Sequence, residues 1–225
     1  MDDFAQALQL CSMLAILFPI IVCILTINKG SLVIRLFLLF LVIGLSADLI
    51  MYILIEIDRR DLINVFYNFY SLSEAVFFIY LIKTNVKNSR LKKISNLLFF
   101  FTSLFWLSLQ LVRFMYPIKG FYPSLIFDLY YEISFSFLAG FVLLEMVEKE
   151  DSVSDQPMFW IFLGIFFYCF CTFFIATFLN TELSQKLWFL HNIFNIITLG
   201  FYTVGLWKYY LFQKKNAILT LKQKK

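Results

Sequence analysis

The sequence predicts an all-α polytopic membrane protein, a seven-transmembrane-helix bundle with its N-terminus outside and its C-terminus cytoplasmic. Three observations carry that prediction. Mean hydropathy is +0.82, with 61% apolar and 15% charged residues among 225, whereas soluble domains carry about 25% charged residues. Seven apolar runs, each near the ~20 residues needed to cross ~30 Å of hydrocarbon, fill almost the whole chain. Lys and Arg collect at alternate ends of those runs, as membrane orientation requires. Helices are the element to expect, because lipid leaves no partner for open backbone and the alternating pattern of a barrel is absent.

The spans follow in order. The first, 5–27, opens after an acidic Met1-Asp2-Asp3 and runs longer than a signal-peptide core, so a retained span is expected; its one irregularity is Pro19. The second, 34–56, carries Gly44, Asp48 and Tyr52. The third, 62–82, carries Asn64, Tyr67, Asn68, Ser71 and Glu74, in helical steps that make one face. The fourth, 94–115, is Phe-rich and offers Ser103, Trp106, Gln110 and Arg113. The fifth, 122–146, repeats polar groups every fourth residue at Ser124, Asp128, Glu132 and Ser136. The sixth, 157–179, has Gly164, Tyr168 and Thr172. The seventh, 184–210, has Trp188, His191, Asn192, Asn195, Thr198 and Tyr202, and a basic cytoplasmic tail, 211–225, completes the single domain 1–225.

Fourteen basic residues fall on one side: Lys29, Arg35, the loop from Lys83 to Lys93, Lys149, Lys208 and the tail lysines. Five fall on the other: Arg59, Arg60, Arg113, Lys119 and Lys186. The richer side is the cytoplasmic one by the positive-inside rule. The net charge of +4 is therefore a topology signal, and no nucleic-acid partner is expected. Cys11, Cys23, Cys169 and Cys171 all lie in apolar runs without metal-ligand spacing and read as small fillers.

Ionisable groups inside a span cost about 2.5–3.5 kcal/mol each on insertion scales. Counted at ~1.5 Å per residue, Asn68, Asp128 and His191 lie at one shallow depth, with Asp48 close by and Glu74, Glu132 and Asn195 nearer the midplane. Four helices thus place polar groups in the same outer-half layers, which predicts an inward cluster opening toward the outside. Asn64, Asn195, Ser71 and Ser136 also fit plain interhelical hydrogen bonding, worth about 0.6 kcal/mol a pair. Asp48, Glu74, Asp128 and Glu132 are more acids than such bonding needs. Nearby cations are few, His191 and a rim Arg113, so some acids should be protonated, or the cavity should hold water or a cation. No cofactor is expected; whether a metal binds is left open.

Enzyme readings fare poorly. A catalytic zinc usually takes three His-rich protein ligands, and the chain has one histidine, His191. No GxSxG motif or Gly-rich phosphate loop occurs, and Lys208 sits at the cytoplasmic end of the last span, wrong for a Schiff-base lysine. Transport has one faint signal: Asn68, Ser71 and Glu74 are echoed by Asn192, Asn195 and Thr198 at a constant offset, as in a three-plus-one-plus-three repeat. Small sugar facilitators of that plan kink on repeated prolines, whereas this chain has only Pro19, Pro117, Pro123 and Pro157.

Three stretches carry a resemblance: Phe66-Tyr67-Asn68-Phe69-Tyr70 with Glu74, Pro157 to Gly164 with Phe167-Tyr168, and Leu187 to Ile196, which includes Trp188, His191, Asn192 and Asn195. Together they resemble a group of seven-helix proteins of about this length from Bacteroidetes-type bacteria, a group with no established activity. The resemblance covers the chain from the third span onward. It implies a setting near sensor kinases or response regulators, and a multi-pass place in the bacterial inner membrane.

The expected function is a membrane sensor. A small ligand or cation binds in the outer half, and the bundle relays to a cytoplasmic or membrane partner such as a sensor kinase. The ligand-binding candidates are Asp48, Tyr67, Asn68, Glu74, Asp128, Glu132, Trp188, His191, Asn192, Asn195 and Tyr202. The alternatives are a small-solute or proton-coupled transporter using the same acids, and a structural subunit of a membrane complex. Membrane lipid is the one certain contact; the oligomeric state is open.

Overall fold

Helix-forming apolar runs become helices throughout the described residues. The computed structural model describes residues 2–27, 32–86, 88–115, 123–149, 151–177 and 182–223, without the side chains of 2, 3, 5, 60, 61, 182–188 and 216–223. The helices are α1 (Asp2–Ala15), α2 (Leu17–Thr26), α3 (Leu32–Glu56), α4 (Arg60–Asn85), α5 (Ser89–Met115), α6 (Pro123–Lys149), α7 (Pro157–Thr177) and α8 (Glu182–Gln223). A single 3-10 turn, Val153–Asp155, joins α6 to α7. Seven segments are long and apolar enough to cross a membrane, with α1 and α2 together making the first, Gln6–Thr26. The chain is thus an all-α, multi-pass membrane protein.

Local sequence sets the boundaries. Proline has no N–H to give, so Pro19 cannot bond the Ala15 carbonyl, and the first span breaks at Ile16. Pro123 and Pro157 occupy the first positions of α6 and α7, where the missing N–H is not needed. The Asn88 side chain accepts from the Arg90 N–H at 2.9 Å and caps α5. Between α3 and α4 the Arg59 N–H bonds the Leu54 carbonyl and the Asp58 N–H bonds that of Ile55, at 2.9 and 3.1 Å. That pairing is a Schellman stop, with Asp58 at φ 52° in the left-handed position. The largest differences from the expected boundaries are that α5 starts earlier than residue 94 and that α8 continues through the tail to Gln223.

The first span, α3, α4, α6, α7 and α8 pack as a closed ring, each against the next, while α5 sits outside in the crook between α4 and α6. Little of α5 is buried; Leu97, Phe100, Phe101, Leu104 and Leu111 point outward and meet lipid. Lipid is as apolar as leucine, so close packing must hold such helices together. Glycine provides it between α7 and α8. A Cβ on Gly205 would fall 2.8 Å from the Pro157 carbonyl oxygen, and one on Gly164 would fall 2.7 Å from the Tyr202 ring.

The interior divides lengthwise. Toward the end holding the α6–α7 turn it is a dry aromatic block. Phe40 stacks on Phe77 at 4.2 Å, Phe37 meets Phe77 and Tyr202 edge-on at 5.5 and 5.2 Å, and Phe78 meets Phe135 at 6.1 Å. Toward the end holding the α3–α4 turn the interior is polar and incompletely filled.

Candidate functional site

A cavity of about 120 Å³ lies in that polar half. From α3 it receives Phe40, Leu41, Gly44, Asp48 and Met51, and from α4 Tyr67, Tyr70, Ser71 and Glu74. Tyr131 of α6 and Tyr168 of α7 close one side. From α8 come His191, Asn195, Thr198, Leu199 and Tyr202, and Ile16 at the break in the first span completes the wall. Every helix of the ring therefore touches the space. Phe40 belongs to both the cavity wall and the aromatic block, so the polar space ends on packed rings.

Glu74 is the best-anchored acid, 4% exposed. Tyr131 donates to its Oε2 at 2.7 Å and Tyr70, one turn earlier on α4, to its Oε1 at 3.4 Å. The Tyr70 hydroxyl also lies toward α3, whose Gly44 and Asp48 share the cavity wall with it. Gly44 lets that happen: a Cβ there would lie 3.5 Å from the Tyr70 oxygen. Hydroxyls hold this carboxyl; the described cavity wall contains no Lys or Arg.

Asp128 and Glu132, each 5% exposed, sit one turn apart on α6 behind that wall. The Tyr67 and Ser71 hydroxyls face Asp128, and Thr172 faces Glu132. Even so, Asp128 Oδ1, Glu132 Oε2 and the cavity-lining Thr198 Oγ1 are buried without a hydrogen-bond partner. Buried polar atoms normally find partners, so the two carboxyl oxygens mark where a donor is wanted and the Thr198 hydroxyl where either a donor or an acceptor would serve.

The sequence candidates separate into groups. Asp48, Tyr67, Glu74, His191, Asn195 and Tyr202 meet at the cavity. Asp128 and Glu132 adjoin it from behind. Asn68 turns to the α4–α5 seam, where its Oδ1 accepts from Gln110 Nε2 at 3.1 Å and its carbonyl from Trp106 Nε1 at 3.0 Å. Asn192 is half-buried but is not part of the cavity wall, and the Trp188 side chain lies outside the described residues. Asn195 also donates to Ser12 of α1 at 2.9 Å, and His191 packs edge-on to Tyr168 at 6.1 Å. Elsewhere, the acidic 145–155 stretch is met by lysines: Lys149 pairs with Glu145, and Lys208 lies 3.4 Å from Asp155.

Sequence reasoning passed over Tyr70 and Tyr131 as site residues. Tyr70 carried a signal, since it precedes Glu74 by four residues on a helix. Tyr131 carried one too, since it follows Asp128 by three residues on a helix. Among the described residues, no three His, Cys, Asp or Glu side chains group closely enough to hold a metal ion. No family model, curated protein or solved structure matches the chain.

Proposed function

We propose that this protein is a membrane sensor that holds a small polar or cationic ligand in the cavity and relays its occupancy through the helix ring. The observation behind this reading is the shape of the polar space. It is walled by every helix of the ring and floored by packed aromatic residues, an arrangement that suits holding an occupant better than passing one across. An occupant would touch α3, α4, α6, α7 and α8 at once, so binding would favour one packing of those helices over another.

In this reading the positive-inside rule sets the orientation. The α3–α4 end and the cavity face outside, and the tail of α8 faces the cytoplasm and a partner there. The resemblance to seven-helix proteins encoded near sensor kinases supports a signalling partner, and the bacterial inner membrane is the matching location. Gentle purification from the native membrane, with mass spectrometry of what accompanies the protein, tests the proposal. A stoichiometric signalling partner supports it. A lone protein that moves solute across liposomes replaces it with a transporter.

A further inference from the structure

The chemistry of the cavity narrows the ligand class, and this step rests on the sensor reading. Two acids, Asp48 and Glu74, belong to the wall, and the described wall holds no Lys or Arg to balance them. A carboxyl group drawn out of water needs either a counter-charge or a proton. Thr198 belongs to the same wall, and its Oγ1 is buried without a partner. Asn195 gives one Nδ2 N–H to Ser12 and has its Oδ1 as an acceptor. These acceptors suit a positive charge that carries hydrogen-bond donors, which would stand in for a proton on the acids.

The rest of the wall adds two constraints. Five tyrosine rings, those of Tyr67, Tyr70, Tyr131, Tyr168 and Tyr202, surround the space. Aromatic faces attract cations, and more strongly when water is excluded. Ile16, Leu41 and Leu199 add an apolar side that suits hydrocarbon and gives a bare metal ion nothing to bind. Volume sets the size: a 150 Å³ cavity admits benzene, so 120 Å³ admits about four to six non-hydrogen atoms.

We infer that the cavity binds a small primary ammonium ion, its N–H groups on Asp48, Glu74 and Thr198 and its short carbon chain against the apolar side. The full-length protein in lipid nanodiscs tests this with four probes at matched ionic strength: propylammonium, tetramethylammonium, potassium and 1-butanol. Propylammonium should raise the unfolding temperature saturably, at a concentration at least tenfold below that at which potassium acts, with 1-butanol inert. Asp48→Asn and Thr198→Val should each weaken that effect about tenfold or more. Phe114→Ala, at an outward position 87% exposed, should leave it unchanged. Asp48→Asn and Thr198→Val remove different groups, so a folding failure in one leaves the other informative.

Equal action of 1-butanol would overturn the charge requirement, equal action of potassium the organic one, and stronger action of tetramethylammonium the donor requirement. No response to any probe would overturn the assignment outright. The sensor reading fails separately, through the absence of a signalling partner in native-membrane preparations or through solute flux.

Discussion

Tyr131 donates a 2.7 Å hydrogen bond to Glu74 Oε2, tying α6 to α4 across the cavity wall. Both groups are buried, so deleting the donor leaves an unsatisfied carboxyl oxygen. Tyr131→Phe should lower stability by about 1–3 kcal/mol, read as a shift of the unfolding transition in nanodiscs. In a Glu74→Leu background the same change should cost far less, because the partners act as a unit. Equal losses in the two backgrounds would mean the bond contributes nothing.

Gly205 and Gly200 lie on the same helix in opposite circumstances. A Cβ at Gly205 meets the Pro157 carbonyl oxygen and Ile161 at 2.8 and 2.9 Å, and one at Gly200 meets nothing within 4 Å. Gly205→Ala should force α7 and α8 apart and lower the melting temperature. Gly200→Ala should leave it unchanged or raise it, since alanine favours helix by about 1 kcal/mol. A matched response of the two variants would refute the close-contact account of α7 and α8.

The α3–α4 turn depends on a left-handed residue at Asp58. Glycine adopts that conformation freely and aspartate tolerates it, while a β-branched residue resists it. Asp58→Gly should be well tolerated and Asp58→Val should cost about 1–2 kcal/mol more, measurable as the difference between their melting curves.

Asn68 fastens the peripheral helix α5 through Gln110 and Trp106. Gln110→Leu should cost about 1 kcal/mol and speed hydrogen exchange in α5 with little change in α8. Ammonium binding should survive this substitution, because neither Gln110 nor Asn68 lines the cavity.

The seven spans were legible because lipid demands long apolar helices and little else has that composition. Pro19 announced an irregularity, and its consequence, the break at Ile16, follows from one missing N–H. The polar half was legible as stripes, since spacing of three and four puts residues on one face. Spacing leaves open which neighbour a face meets. Asn68 and Tyr67 are adjacent, yet Asn68 serves the α5 seam while Tyr67 lines the cavity. Asp128 and Glu132 shared the best stripe and stand behind the wall, because α6 presents Tyr131 there. The extent of α8 was hidden for a different reason: its lysine-rich tail reads as a polar anchor, although Ile218, Leu219 and Leu221 interrupt it.

That continuous helix has a mechanical meaning. Tyr202 sits in the cavity wall and Gln223 ends α8, about 31 Å farther along the axis at ~1.5 Å per residue. A rigid rod turning by about 5° at Tyr202 would sweep its far tip through about 2.7 Å. A rearrangement too small to notice around the cavity would become, at the other end of the same rod, a displacement the size of a hydrogen bond.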